Sequence, residues 1–559
     1  MGRAAREWPW GLAIAAGMGL RGFRLLDQVP VDDEWHALHA LLWLPPWQLA
    51  LSFGSVDRSI PLTLFYALSA HALGLGDWLL RLPSLVAGLA TLVVCPWLVR
   101  RHLGRRGSHL FAWLLAVAPL LVFYSRTLRP YGIGALFGFL SLHFAETWWR
   151  SGARRAALGY GATAALGTWF LPPLAPFALA PLAVLLAARI RRPARALALV
   201  APPALAFAAF AAPLLAPPLL AHPEALFDKL GASRPDAGAL VRAAGFWLGT
   251  RSPWLALALL VPAALGAWRL ARREPRFTAL ALASGAALAL GVLASAPRYA
   301  WLGFVLGRYA VPALPLLLVF AAAGLDATGA RPGRPAVASA ALCALWLWSG
   351  GIPALLLDTR AWFPGRWVTW MEGQAPEPRR VPDFYRRLAE RPPGSLTLVE
   401  SPWYYSLWNN LLPHYEAIHR QRTLIGMTTG LCSDAHWGEY PPGRGVSLHS
   451  FAHLADARAL AARGADFVIF HRDPAGELSR PVDPVDLRAT GQPDVGGCIE
   501  AYRRLGWPEV HADPQIVVFQ VPGGEGGAAL SPPGRSRPPG SSARRGAPDR
   551  PAPPAPPRA

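Results

Sequence analysis

Over the first 350 residues polar positions are few and bunched, and the apolar runs between them are long. One of these, AALGYGATAALGTWFLPPLAPFALAPLAVLLAA, holds no charged residue at all. Runs of about 18 or more apolar residues read as membrane-spanning helices. Their continuous rather than alternating apolarity argues against a β-barrel. The pattern predicts spans at about 8–25, 79–99, 108–124, 131–148, 156–171, 173–189 and 196–220. Four more follow, the last at about 336–357, for about eleven in all. Residues 55–84 contain a shorter apolar segment with no basic loop after it, which predicts a juxtamembrane helix lying in the interface.

Arginine clusters alternate with acidic or mixed loops. RRHLGRR, the Arg150–Arg155 segment, RIRRPAR and RLARREPR read as cytoplasmic by the positive-inside rule. Residues 26–78, SRTLRPYG and APRYAWLGFVLGR then lie outside. An odd number of spans puts the N-terminus in the cytoplasm and everything after Asp358 on the exported side of the inner (plasma) membrane.

Residues 359–522 change character. SLTLVE, ADFVIF and PQIVVFQV are strand-length apolar runs, and VPDFYRRLAER and LADARALAARG are amphipathic helices, the second closed by Gly464. The expected fold is an all-α polytopic membrane domain over 1–358, including an outer juxtamembrane loop at 26–78. An extracytoplasmic three-layer α/β domain follows over 359–522, then a disordered Pro/Arg-rich tail at 523–559.

The net charge of +20 would ordinarily point to nucleic acid, but the basic residues are nearly all arginine and sit in short inter-span loops, so nucleic-acid binding is excluded. Cys95 and Cys343 fall in apolar segments; Cys432 and Cys498 fall in the hydrophilic C-terminal region and could pair if it is exported.

Three stretches carry candidate chemistry. In QVPVDDEWHALH, Asp32, Asp33 and Glu34 stand at a membrane edge, where charge is costly and tends to be functional. They fit a general base, a cation site or a simple helix cap. Asp32, His36 and His39 share one helical face, a spacing that could hold a divalent cation. In YSRTLRPYGIG, Arg126 and Arg129 lie outside, against the charge rule, followed by Tyr131. A lipid phosphate would supply the reason, since guanidinium matches phosphate geometry; so would an ion pair with the acids of the first loop. In GRYAVPALPLLLVF, Arg308 and Tyr309 open a span from the outside, and Arg298 and Tyr299 are a weaker echo. Acid plus arginine at one surface suits glycosyl transfer from a lipid-phosphate sugar, with a carboxylate base and a cation-stabilised leaving group.

DDEWHALH, IPLTLFYALSAHALGLGDWLLRLPSLVAGLATL, YSRTLRPYG and GRYAVPALPLLL, in that order, resemble the bacterial polyprenyl-phosphate-sugar glycosyltransferases of the GT-C fold, the group of the lipid A aminoarabinose transferase and the protein O-mannosyltransferases. The resemblance implies Asp33 as the catalytic carboxylate with Glu34 beside it, and Arg129, Tyr131 and Arg308 at the donor phosphate. It implies a donor such as an undecaprenyl-phosphate sugar in the outer leaflet and a glycan, lipid or protein acceptor. One departure is that the histidine of a DHPPLYY-like element in many relatives is Arg58 here. The other function classes are a transporter or flippase of lipid-linked saccharides, an O-antigen ligase or polymerase, and a non-catalytic relative.

Overall fold

The structure, a computed structural model, describes residues 8–23, 25, 34, 44–53, 59–73, 77–224, 231, 234–297, 300–327, 334–350, 378–401, 411–424, 460, 464–479 and 495–523. Within them the apolar runs are helical: Trp8–Gly22, Asp77–Val117, Tyr131–Ser151, Arg154–Phe170, Ala175–Ala187, Pro193–Ala221, Pro253–Arg273, Pro275–Ser295, Leu314–Ala327 and Arg334–Ser349. Among the described residues four helices are long and apolar enough to cross a membrane, and the bent pair Gly303–Tyr309 and Val311–Ala327 would make a fifth. The count of about eleven rests on the sequence.

One of the four is not a single rod. Within Asp77–Val117, Gly104 adopts φ 67° and ψ −175°, a conformation open to glycine. Ser108 Oγ donates to the carbonyl of Pro96 at 2.6 Å. Twelve residues of straight helix would hold those positions about 18 Å apart. The chain therefore reverses at Gly104, and RRHLGRR is the tip of a tight helical hairpin rather than a loop. The reversal brings Arg81, near the start of the first limb, back beside Arg126, beyond the end of the second. The hairpin packs into a core with Leu114, Leu115, Phe139, Leu314 and Val319, while Leu197, Leu205 and Val261 face outward as lipid-side residues do.

The segment 55–84 forms a short helix, Ile60–Leu73, before the hairpin begins. Its 14 residues extend about 21 Å, less than a bilayer core. The loop after residue 221 contains a helix that the apolar pattern did not predict, Ala237–Leu248, capped by the Asp236 carboxylate, which accepts from Ala239 N at 2.6 Å.

The C-terminal region builds a five-stranded sheet in the order β2-β1-β3-β5-β4. The strands are β1 (Thr397–Ser401), β2 (Arg422–Leu424), β3 (Phe467–His471), β4 (Glu509–Ala512) and β5 (Ile516–Gln520). β1 runs parallel to β2 and β3, and β5 antiparallel to β3 and β4. Val399, Val468, Phe470 and Phe519 cover one face with Ile499 and Tyr502, and Leu398, Ile469 and Val518 cover the other with Phe384 and Tyr415. Buried on both sides, the sheet makes the expected three layers. The expected strands are β1, β3 and β5; β2 and β4, short edge strands, had no apolar signal. The helix VPDFYRRLAER appears at Asp383–Ala389, and Gly464 has φ 67°; the helix expected before it, LADARALAARG, lies outside the described residues except for Leu460. Cys498 is disulfide-bonded, whereas Cys95 and Cys343 are free thiols. Cys432, the remaining cysteine, lies outside the described residues, as do Asp32, Asp33, His36, His39, Arg58, Arg298, Tyr299 and the tail beyond Gly523.

Candidate active site

The site is built around the turn Ser125–Pro130, which follows the short helix Pro119–Tyr124 and precedes Tyr131–Ser151. Pro130 has no N–H to continue the earlier helix. The two arginines of the turn, predicted to work together, are separated by it. Arg126 Nη1 donates to the carbonyls of Leu20, Arg21 and Phe23 at 3.2, 2.8 and 2.9 Å. These are end-of-helix acceptors of Trp8–Gly22 that would otherwise lack partners. Arg21 returns the favour, donating to Ser125 Oγ at 3.1 Å and to the carbonyls of Leu115 and Ala116 at 3.0 and 3.1 Å. A Cβ on Gly88 would lie 2.1 Å from Ser125 Oγ, so only glycine lets the hairpin approach the turn this closely.

Glu34 sits on the other side of the turn. Its Oε1 accepts from the backbone N–H of Leu128 at 2.8 Å and lies 3.5 Å from Arg81 Nη1. Arg81 also donates to the carbonyl of Arg126, and Ser84 Oγ donates to the carbonyl of Arg129 at 3.3 Å. Three backbone groups of the turn, at residues 126, 128 and 129, are thus held by side chains from elsewhere. Glu34, Arg81, Arg126, Arg129 and Arg308 are each less than a tenth exposed. A buried carboxylate that holds both a guanidinium and a peptide N–H is a strut. Glu34 holds the turn in place from one side.

What the turn presents is Arg129. Arg129 Nη2 donates to Tyr131 Oη at 3.3 Å, and its guanidinium carbon stands 5.6 Å from the Tyr131 ring centroid. Arg308 approaches the same ring at 5.9 Å, and the rings of Phe304 and Tyr309 at 5.3 Å each. Tyr131 packs edge-on against Tyr309 at 5.9 Å and Tyr124 at 4.8 Å. Residues 129 and 308, remote in sequence, thus meet at one tyrosine, and cation–π contact helps to fix each guanidinium. The helix bearing Arg308, Gly303–Tyr309, bends by 50° at the break into the next segment.

Arg81, Ser84, Tyr66 and Tyr124 also belong to the site. Tyr66 Oη donates to the carbonyl of Leu80 at 2.9 Å and lies within electrostatic reach of Glu34, Arg81 and Arg129. Arg81 had a signal: an isolated arginine inside the apolar block LLRLPSLVAGLATL. The tyrosines had none beyond the interfacial habit of the residue.

The opposite end of the bundle gathers charge too. Glu146 pairs with Arg101, with His102 Nε2 at 3.1 Å and with Arg150 Nε at 2.7 Å. Glu274 pairs with Arg150 and with His102 Nδ1 at 3.3 Å. Asp326 lies 3.5 Å from Arg106 and 3.8 Å from Arg269. His102, Glu146 and Glu274 offer atoms within 4.8 Å of one another, as metal ligands would. With Arg101 and Arg150 on those carboxylates the set is an ion-pair network, since a bound cation would face two guanidinium groups.

Residues 57–219 match the family of dolichyl-phosphate-mannose-protein mannosyltransferases. The match covers less than a third of the chain and is a likeness to transferases that draw mannose from dolichyl phosphate. The matched segment includes Arg81, Arg129 and Tyr131, and the match is to transferases rather than to transporters or flippases. Among solved structures, the chain is similar to ArnT from Cupriavidus metallidurans bound to undecaprenyl phosphate. The identity there is 14% and the TM-score 0.47, with 94% of this chain and 99% of that chain covered. It is also similar to the Archaeoglobus fulgidus oligosaccharyltransferase in complex with Zn and sulfate, at 13% identity, TM-score 0.38, and coverage of 86% and 70%. At these scores the two likenesses carry no argument about function. No curated protein matches the sequence.

Proposed function

We propose that the transferase moves a sugar from a polyprenyl-phosphate donor to a hydroxyl acceptor on the exported face of the inner membrane, at the site around the Ser125–Pro130 turn. The observation that carries this reading is the meeting of Arg129 and Arg308 on one tyrosine, beside a turn clamped by Glu34. Asp33 takes the proton of the acceptor hydroxyl. The acceptor oxygen attacks the anomeric carbon, the bond from that carbon to the phosphate oxygen breaks, and its electron pair leaves with the phosphate. Arg129 and Arg308 hold the added negative charge, and Tyr131 and Tyr309 orient the two guanidinium groups. Arg126 and Glu34 keep the turn in register. Asp32, His36 and His39 are a proposed cation set, and no step depends on it.

Two features support the orientation. The engaged thiol of Cys498 fits an oxidising compartment for the C-terminal domain. The arginine-rich tips, including Arg101 and Arg150, gather at the end away from the site, as the positive-inside rule asks of the cytoplasmic end.

The test uses a deletion strain and mass spectrometry of its envelope glycans and glycolipids. Complementation with the wild-type chain should restore the missing sugar, and Asp33→Asn at equal membrane abundance should not. Full restoration by Asp33→Asn would remove Asp33 from the base role.

A further inference from the structure

A second group of arginines at the end away from the site is arranged unlike the ion-pair network there. From Thr147 to Pro223 the chain carries seven arginines and neither aspartate nor glutamate. Arg150 belongs to the network with Glu146 and Glu274. The other six are Arg154 and Arg155, which open the helix Arg154–Phe170, and Arg189, Arg191, Arg192 and Arg195, which surround the turn from Ala175–Ala187 into Pro193–Ala221. All six are exposed, and none has an ion-pair partner among the described residues.

The two groups adjoin. Trp148 Nε1 donates to the carbonyl of Leu199 at 2.8 Å, and Trp148, Ala156 and Leu185 bury one another there. The ends of four helices therefore converge, and their arginines share one rim. Apolar side chains stand on the same rim: Leu186, Ile190 and Leu197 are 47, 68 and 67% exposed. The helix that follows, Pro193–Ala221, is only 17% buried over its most apolar window, so it lines the outside of the bundle.

Setting topology requires arginines on one side; it does not require six of them together, without acid, beside exposed leucine and isoleucine. Like charges so placed repel unless something anionic lies among them. Guanidinium groups pair with phosphate by paired hydrogen bonds, and apolar side chains one turn away suit the acyl chains beneath a headgroup. An acidic protein segment would satisfy the arginines but would leave Leu186, Ile190 and Leu197 without a role. We propose that this rim is a binding platform for anionic phospholipids, with headgroup phosphates on Arg154, Arg155, Arg189, Arg191, Arg192 and Arg195. The platform is independent of the transfer chemistry, because it involves none of the residues assigned to it.

The test is lipid retention by the full chain. Protein purified in detergent is incubated with equal amounts of phosphatidylglycerol and phosphatidylcholine, re-isolated and examined by native mass spectrometry. The wild type should retain phosphatidylglycerol several-fold over phosphatidylcholine, and raising the salt should erase the preference. Replacing Arg189, Arg191, Arg192 and Arg195 with glutamine should lower the retained phosphatidylglycerol about tenfold, while the four lysine replacements keep most of it. Retention of both lipids in the proportions supplied, or unchanged retention by the glutamine variant, would overturn the proposal. Should the glutamine variant not fold, the wild-type selectivity and its salt dependence decide alone.

Discussion

The two ends of the membrane bundle use the same residue types in opposite ways. At the far end each acid is matched by several cations: Glu146 and Glu274 by Arg101, His102 and Arg150, and Asp326 by Arg106 and Arg269. Each acid is neutralised by these pairs, and the hairpin tip is tied to two other helices. At the site end Arg126 is held by backbone carbonyls, and Arg129 and Arg308 lie against aromatic rings. Carbonyls and rings orient a guanidinium group by its edge and by its face. The far-end acids make a structural clamp; at the site end a turn and a ring cluster aim the guanidinium groups.

The sharpest way to break this contrast is to remove the arginines at the site. The double substitution Arg129→Ala with Arg308→Ala should lower transfer by about a thousandfold, the scale of losing donors that meet developing charge. Sugar incorporation into the envelope fraction measures it, and the fold should survive, as judged by monodisperse elution in detergent. At the clamp the outcome should invert. Glu146→Gln should destabilise the protein by about 2 kcal/mol, less than the usual cost of breaking a buried pair because Arg101 and Arg150 reach water. Activity per folded molecule should stay at the wild-type level. A thermal scan beside a transfer assay separates these two results, and equal activity loss at both ends would dissolve the distinction.

Glu34→Gln tests the strut. The amide still accepts from Leu128 N–H but gives up its charge against Arg81. Transfer should fall about tenfold, mainly through weaker donor binding as the turn loosens, an effect on the scale of one charge-assisted hydrogen bond. A thousandfold loss in turnover at unchanged donor affinity would make Glu34 a participant in the chemistry instead.

The residues that converge were legible in the sequence because charge at a membrane edge is conspicuous. The acidic stretch, RPY and GRY each stood out against an apolar background, and Arg129, Tyr131, Arg308 and Tyr309 do meet. What was not legible was which of two similar residues does which work. Arg126 and Arg129, three apart, face in different directions because a proline-ended turn, not a helix, carries them. Arg81 hid inside an apolar block, and only the reversal at Gly104 reveals why it matters. In the C-terminal domain, strands buried on both faces announced themselves, whereas β2 and β4 at the edges are too short and too polar to do so. The ion-pair network at the far end is a product of tertiary contact between residues 102, 146 and 274, with no local pattern at all.

The C-terminal domain repeats the clamp motif where its titration can be followed. His471 lies between Glu400, 2.9 Å from Nε2, and Glu477, 3.0 Å from Nδ1, as His102 lies between Glu146 and Glu274. Burial alone would lower the basicity of His471, but the Glu477 charge and the hydrogen bonds to both carboxylates push its pKa up to about 10. Burial would raise Glu400, but hydrogen bonds from His419 and His471 hold it at about 2. Because His471 is raised, its contribution is complete below its unfolded value near 6.5 and is lost as the pH climbs through about 10. Because Glu400 is depressed, its contribution is complete above its unfolded value near 4.5 and is lost as the pH falls through about 2. The domain should be most stable between about pH 4.5 and 6.5, with a small loss by pH 8 that grows toward pH 10. Hydrogen exchange in peptides spanning β1 and β3, corrected for intrinsic rate, measures this. His471→Gln should flatten the alkaline limb, and an alkaline limb unchanged by that substitution would assign it to other groups.

Polyprenyl phosphate binding decides whether the site end is the anion-accepting one. The affinity of the purified full-length protein for that lipid is to be compared among the wild type, Arg129→Ala and Arg150→Ala. The account predicts at least tenfold weaker binding for Arg129→Ala and wild-type binding for Arg150→Ala. Undiminished binding by Arg129→Ala, or an equal loss in both variants, would contradict it.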